Sequence, residues 1–256
     1  MSECRPPTIS RVLSGLERDG LLMLSDARLP SLVSLVVGKP VRGSWWGHPR
    51  GEAIHVLSTQ LREHPDVIAL RFVRRKITYV HRSRWPELFG VATSGEQWQT
   101  KGISSGARLI FRAVQKSGLV RSDDPALLSS RSSRERRAFI RELEERLLVH
   151  CIEFHTERGV HAKALQSWAK CRQQKRFRRR ALPARDARER FEALVRAWST
   201  GPGAIAALPW QQLASSHVLC PPAVVVNPIE DEVAGDGHGP IVPGRANTLK
   251  AAERMC

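Results

Sequence analysis

The chain has 256 residues, of which 41% are hydrophobic, enough to bury the core of one large domain or two small ones. Its formal net charge of +16 favours polyanionic partners. The five cysteines have no CxxC or CxxH spacing, which argues against a disulfide framework and against a structural zinc site.

The sequence lacks the usual signals of secretion, membrane insertion or cofactor binding. Residues 1–7 contain no apolar signal-peptide core, and no stretch approaches the roughly 20 apolar residues that a bilayer requires. There is no glycine-rich phosphate loop, GxSxG elbow or paired DxD motif. We therefore expect a cytoplasmic protein without a cofactor or a metal site.

The basic excess lies in the body of the chain rather than at its C-terminal end. Residues 1–129 contain 19 Lys and Arg against 11 Asp and Glu, residues 130–196 contain 19 against 9, and residues 197–256 contain 3 against 5. An arginine-rich proteome would produce such a charge without any ligand. We favour the other explanation, a polyanion-binding face on the folded part.

Residues 1–120 predict a winged-helix-like α+β domain. Apolar spacing predicts helices over residues 8–20 and 29–37, and a third is expected from His48-Pro49 to Glu63 because proline suits the first helical position. Two apolar, β-rich runs on either side of Arg74-Arg75 predict a tight hairpin. Helices are then expected over residues 84–91 and 104–117, so that a helix, a hairpin and a helix follow one another as in a winged helix.

The rest of the chain predicts a helical domain and a tail. Residues 121–133 are polar and are interpreted as a linker. Helices are expected over 134–155, from 161 to about 180 and over 184–198, which together predict a helical domain over residues 134–210. The Pro- and Gly-rich residues 211–256 predict a disordered extension.

Two adjacent tryptophans, Trp45 and Trp46, are the first candidate for ligand binding. Neighbouring residues in an extended segment point to opposite sides, so one ring is expected to reach a surface, where it would stack on a nucleobase. The alternative is that one ring fills the core and the other covers it. His48 and Arg50 are expected beside the following helix N-terminus, which favours a phosphate group.

Two groups of histidines and carboxylates are candidates for acid/base work. His48, Glu52 and His55 have the i, i+4, i+7 spacing of one helical face. The second group surrounds Gly159 and could bind a metal or move protons, although we favour helix capping and ion pairing as its explanation. Its members are Glu153, His155, Glu157, His161 and Lys163.

Clusters of basic residues are the candidates for phosphate contact. Arg74, Arg75 and Lys76 at the predicted hairpin tip would touch phosphate, and Arg82 follows the second strand. Residues 170–180 carry seven cations and no carboxylate. Such a dense run is explained at least as well by contact with the phosphates of a nucleic-acid backbone as by a helical face that water solvates. The residues of this run that we expect to contact nucleic acid are Lys170, Arg172, Lys175 and Arg176.

Several separated motifs resemble a family of bacterial conserved hypothetical proteins. They are residues 44–49 (SWWGHP), 64–67 (HPDV), 76–82 (KITYVHR), 85–86 (WP), 98–99 (WQ), 155–163 (HTERGVHAK) and 208–210 (LPW). The likeness runs from about Gly20 to Trp210. It implies that the core ends near Trp210 and that the chain from about Gln212 is an extension, and it implies no activity.

The sequence therefore leaves three hypotheses. The first is a nucleic-acid-binding protein, with DNA as the expected ligand, which uses the basic residues and tryptophan stacking. The alternative is an enzyme that processes or repairs nucleic acid, a glycosylase or nuclease, with the catalytic work assigned to His48, Glu52, His155, Glu157, His161 and Lys163. The third is a scaffold that binds another protein.

Overall fold

The computed structural model of the chain describes residues 6–124, 127, 131–156, 161–198 and 207–216, with the backbone alone for His155, His161 and residues 213–216. The helices in these ranges are α1 (Ile9–Asp19), α2 (Leu32–Val37), α3 (Gly51–Glu63), α4 (Trp85–Ala92), α5 (Gln97–Thr100), α6 (Ser105–Ser117), α7 (Ser133–Glu145), α8 (Trp168–Gln174), α9 (Ala184–Arg196) and α10 (Pro209–Ser216). The strands are β1 (Leu21–Met23), β2 (Val67–Arg71), β3 (Ile77–His81), β4 (Leu119–Arg121), β5 (His150–His155) and β6 (His161–Gln166). The described part of the chain is a mixed α+β structure, about 52% helical.

The first sheet is antiparallel in the order β1-β3-β2 and contains the predicted hairpin. Val67 pairs with His81 and Arg71 with Ile77, which confirms the hairpin and its register. A 3-10 turn over Val73–Arg75 forms the tip, where Arg74 and Arg75 have positive φ angles of 54° and 56°. Two left-handed residues make the chain reverse within this short turn.

The first sheet lies between two hydrophobic cores because neighbouring residues of a strand face opposite sides. Leu22 and Tyr79 pack on one side with α1, α2 and α3. Leu21 and Val80 pack on the other side with α4, α8 and α9. This second core extends as far as Trp210, so residues on both sides of the predicted linker share it.

The second sheet corrects the prediction of a long helix over residues 134–155. Helix α7 ends at Glu145, and β5 follows in an antiparallel sheet of order β4-β6-β5. The chain leaves the helix at Leu147, whose φ is 52°, and the buried Trp168 indole donates to the Leu147 carbonyl over 2.6 Å. Helices α6 and α7 cover this sheet in a third core.

The helix predicted from residue 161 to about 180 is also wrong. Residues 161–166 form β6, and only Trp168–Gln174 are helical. The helix expected from His48-Pro49 starts later, at Gly51, since two turns hydrogen-bonded from His48 N–H to Trp45 and from Gly51 N–H to His48 occupy its first residues. A Cβ at residue 51 would lie 3.0 Å from the Trp46 carbonyl, which explains the glycine.

The remaining predicted helices are confirmed, with small differences at their ends. Helix α1 ends at Gly20, whose φ of 80° suits glycine. Helix α10 continues to Ser216, beyond the predicted start of the extension, and residues 217–256 lie outside the described part of the chain. None of the described helices combines the length and apolar character needed to cross a membrane.

Candidate functional site

Residues 170–180, here called the basic segment, are held on the protein by apolar side chains. The Ser167 hydroxyl accepts a hydrogen bond from the Lys170 N–H and caps α8. Trp168, Cys171 and Phe177 are buried in the core shared with α4 and α9. Because the apolar residues point inward at helical spacing, the charged residues between them are left on the surface.

Two cations of the basic segment stabilise it by bonding to backbone carbonyls. Arg172 donates to the carbonyls of Phe177 and Arg179 over 3.1 and 2.8 Å. Lys175 donates to the carbonyls of His64 and Val67 over 3.0 and 2.8 Å, and burial lowers the pKa of its ammonium group. Carbonyl acceptors satisfy these donors without neutralising their charge.

The basic segment has no ion pairs within the described ranges. None of its seven cations comes within 4.0 Å of a carboxylate oxygen there, although fifteen such pairs exist elsewhere in the described chain. Four of the seven are exposed arginines: Arg176, Arg178, Arg179 and Arg180. This surface therefore carries a concentrated positive charge that the described structure does not compensate.

A groove of about 690 Å³, here called the aromatic groove, runs beside the basic segment. Phe89, Trp168 and Phe177 line it together with three arginines of the segment. The rings of Phe89 and Phe177 are stacked with centroids 5.4 Å apart, and the Arg172 guanidinium lies 6.0 Å from the Phe89 ring centroid. The arginines lining the groove are Arg172, Arg176 and Arg178.

The cations of the hairpin tip, by contrast, are paired within the protein. The Asp26 carboxylate receives Lys76 over 2.8 Å and Arg74 over 3.3 Å. Arg75 lies 3.5 Å from Glu145 and donates to the Gln212 side chain over 3.0 Å. These contacts bind the tip to other parts of the fold.

Arg82 is also paired, next to the basic segment. It donates to Asp66 over 2.9 Å, and its guanidinium lies 5.4 Å from the Trp85 ring centroid and 6.0 Å from that of Phe177. Arg82, which the sequence predicts to contact phosphate, thus lies close to the basic segment, and Asp66 neutralises part of its charge.

The two adjacent tryptophans have different environments. Trp45 is 8% exposed and belongs to the core formed by α1, α2 and α3, whereas Trp46 is 68% exposed. Their rings are stacked with centroids 4.3 Å apart, and the His55 ring lies 5.6 Å from that of Trp46. One ring therefore fills the core while the other presents an aromatic face to solvent.

The residues predicted to seat a phosphate before α3 take part in local structure. The Arg50 N–H donates to His48 Nδ1 over 3.1 Å. The Arg50 guanidinium donates to the carbonyl of Val36 over 2.6 Å and ties this turn to the end of α2. Glu52 and His55 are exposed on α3.

The second predicted cluster is only partly described. Glu153 and Lys163 are register partners in the β5–β6 hairpin, as are His155 and His161. Lys163 donates to both oxygens of Glu144 over 2.8 and 2.7 Å. Glu157 and the side chains of both histidines lie outside the described part of the chain.

Glu153 connects this cluster to α3. Burial alone would raise the pKa of Glu153, but the hydrogen bond and the charge of Arg62, with further charges nearby, outweigh it and lower that pKa. Arg62 donates to Glu153 over 2.7 Å from the last turn of α3, whereas Glu52 lies in its first turn. The ten residue steps from Glu52 to Arg62 span about 15 Å of helix.

Two features of the structure went unpredicted from the sequence. One is a pocket lined by arginines of α7. The other is His150, which is buried: its Nε2 lies 3.2 Å from the Ala69 carbonyl and its Nδ1 lies 2.8 Å from the Gln166 side-chain nitrogen. Burial lowers the pKa of His150 to about 4, so this imidazole is neutral and structural.

Within the described ranges, no three or more His, Cys, Asp or Glu side chains come together as metal ligands. Neither the models of known protein families nor curated proteins nor solved structures gave a significant match to the chain. The function is therefore inferred from the geometry of the described residues.

Proposed function

We propose that the protein binds nucleic acid, with DNA as the expected ligand, through the basic segment. The observation that carries this proposal is the contrast in charge pairing: the hairpin cations contact carboxylates, whereas the described cations of the basic segment do not. Uncompensated arginines repel one another, and a polyanion relieves that repulsion. Phosphate groups suit them because guanidinium donors can pair with two phosphate oxygens at once.

The aromatic groove supports a nucleic acid over other polyanions. Bases pack against guanidinium planes, and the arginines of the groove offer such planes beside an apolar floor of buried rings (Phe89 1%, Trp168 4% and Phe177 4% exposed). Trp46 supplies an exposed ring, and stacking on it is worth about 1–3 kcal/mol per base. A simple polyphosphate would use the arginines alone.

Helix α3 separates the exposed Trp46 from the basic segment. The Trp46 ring lies 5.6 Å from the His55 ring on α3, and Lys175 bonds to the carbonyl of His64, directly after the last residue of that helix. The nine residue steps from His55 to His64 span about 14 Å. This distance fits within a single-stranded site of roughly 4–16 nucleotides, and we propose that one strand contacts both ends.

From the winged-helix hypothesis for residues 1–120, this proposal keeps one part, the hairpin as a wing that contacts nucleic acid. The β2–β3 hairpin would act as the wing, but Arg74, Arg75 and Lys76 would have to exchange their internal partners for phosphate. We therefore assign them a smaller share of the binding energy than the basic segment. A cytoplasmic location is likewise part of the proposal.

Electrophoretic retardation of DNA and RNA at increasing salt tests the proposal. Binding should weaken steeply with salt, by roughly 0.7 units of log affinity per log unit of salt for each phosphate contacted on a single strand and by roughly 0.9 on a duplex. Arg112 and Arg196 are exposed arginines on α6 and α9 that do not line the aromatic groove, and their alanine variants are the controls. Binding that is absent, or insensitive to salt, would contradict the proposal.

The enzymatic alternative has one observation in its favour. The β5–β6 hairpin places His155 opposite His161, two residues from the Glu153–Lys163 pair, so the backbone brings these predicted catalytic residues together. Alanine substitution of both histidines tests this alternative on a single-stranded or damaged DNA substrate. Loss of cleavage with retained binding would favour the enzyme; no cleavage by the wild-type protein would remove it.

A further inference from the structure

A second concave surface, here called the arginine pocket, lies between α7 and the second sheet. Its volume of about 780 Å³ falls in the range typical of small-ligand sites. Ile140 and Ala162 form apolar parts of its wall, and charged side chains form much of the rest. It shares no lining residue with the aromatic groove.

Every carboxylate that lines the arginine pocket already has a cationic partner. Glu144 pairs with Lys163 at 2.7 Å and with Arg71 at 3.7 Å. Glu153 pairs with Arg62 at 2.7 Å, and Asp123 pairs with the neighbouring Arg121 at 2.8 Å. The acidic groups therefore do not compensate any further positive charge in the pocket.

Three arginines of α7 remain in the lining without a carboxylate. Arg136, Arg137 and Arg141 contribute to the pocket, and none of them lies within 4.0 Å of a carboxylate in the parts of the chain that are described. Among the described residues, Arg136 donates to the Ser133 hydroxyl over 3.4 Å. Arg137 and Arg141 are four residues apart on one helical face, an arrangement in which like charges destabilise a helix.

We propose that the arginine pocket binds a phosphate group. Several guanidinium groups that line one pocket beside apolar walls match the oxygens of a phosphate, and they are favoured over lysines where two oxygens are contacted together. The phosphate can come from a small molecule or from a nucleic acid. This inference does not rest on the basic segment, because the two surfaces have no residue in common.

Isothermal titration calorimetry at low salt with inorganic pyrophosphate, and separately with a short single-stranded DNA, tests this site. The variant is Arg137→Ala with Arg141→Ala, and alanine favours the helix that carries them. The control is Arg134→Ala, an exposed arginine of α7 that does not line the pocket. We expect the double variant to lose about tenfold or more in affinity, with the control unchanged.

The two probes separate the sources of the phosphate. Loss of pyrophosphate binding in the double variant assigns the pocket to a small phosphate compound. No pyrophosphate binding, together with a DNA affinity that falls in the double variant and not in the control, assigns it to a nucleic-acid phosphate. The proposal is overturned if the double variant binds both probes as the wild type does, or if the wild type binds neither.

Discussion

The ammonium group of Lys76 donates to the Asp26 carboxylate over 2.8 Å, and only 1% of the Asp26 side chain is exposed. Arg74 contacts the same carboxylate, which also accepts the backbone N–H groups of Arg28 and Leu29. Burial would raise the pKa of Asp26, but these hydrogen bonds and positive charges outweigh it and lower that pKa. Arg74 and Lys76, which the sequence predicts to contact phosphate, thus bind the hairpin tip to Asp26 instead.

Asp26→Asn tests whether these cations are structural. We expect the free energy of unfolding at pH 7 to fall by roughly 1.5–3 kcal/mol, because charge-assisted hydrogen bonds to a buried carboxylate are lost. Asp66→Asn is the matched control: it breaks the partly exposed pair with Arg82 and should cost at most about 1 kcal/mol. Equal effects in denaturant unfolding would argue that burial of Asp26 adds nothing.

The two stacked tryptophans should separate stability from binding. Trp45→Ala removes a buried ring and is expected to cost about 3–5 kcal/mol of unfolding free energy. Trp46→Ala should leave stability nearly unchanged but weaken single-stranded DNA binding by about 1–3 kcal/mol. Denaturant unfolding and fluorescence titration measure the two effects. Unchanged DNA affinity in Trp46→Ala would exclude this ring from the proposed site.

The buried His150 predicts a specific dependence of stability on pH. Its pKa is about 4 in the folded protein, against about 6.5 for an exposed histidine, so the unfolded chain binds the extra proton between these values. Stability should therefore be full above pH 6.5 and fall as the pH decreases towards 4. The loss between pH 7 and pH 5 is roughly 2 kcal/mol from this residue.

His150→Gln isolates that contribution. The variant keeps polar groups at this position but does not titrate, so its stability should change less between pH 7 and pH 5 than that of the wild type. Urea unfolding at both values measures the difference. The same pH dependence in both proteins would contradict a neutral, buried imidazole at this position.

Two helical glycines should respond in opposite ways to alanine. A Cβ at Gly15 meets no atom within 4 Å, so Gly15→Ala should stabilise α1 by about 0.5–1 kcal/mol. A Cβ at Gly90 would overlap the carbonyl oxygen of Leu182, so Gly90→Ala should destabilise by about 1–3 kcal/mol. Thermal unfolding measures both, and a stabilising Gly90→Ala would contradict the close packing of α4 on the chain before α9.

Much of the fold follows from local sequence signals. The apolar, β-rich runs on either side of Arg74-Arg75 predict the hairpin, and Gly20 predicts the end of α1. The failure at residues 134–155 has a local cause: Phe139, Leu143, Leu147 and Cys151 keep a helical spacing although the chain turns at Leu147. The β-branched Val149 and Ile152 were the available signal for β5.

The functional residues were harder to predict, since ion pairs join residues far apart in sequence. Nothing near Lys76 indicates that Asp26 will neutralise it, whereas the absence of acidic residues in 170–180 is visible from the sequence. The arginine pocket could not be predicted for the reverse reason. Its arginines are interspersed with carboxylates in the sequence of α7, and only the fold shows that one of these carboxylates, Glu144, is already paired with Lys163 of β6.

The most direct test of the account is the salt dependence of nucleic-acid affinity for the wild type and for a variant with Arg176, Arg178 and Arg179 replaced by alanine. If each arginine contacts one phosphate, the variant's slope of log affinity against log salt should be smaller by about 2–3. The double variant Arg112→Ala with Arg196→Ala should keep the wild-type slope. A triple variant that binds with the wild-type affinity and slope would contradict the proposed role of the basic segment.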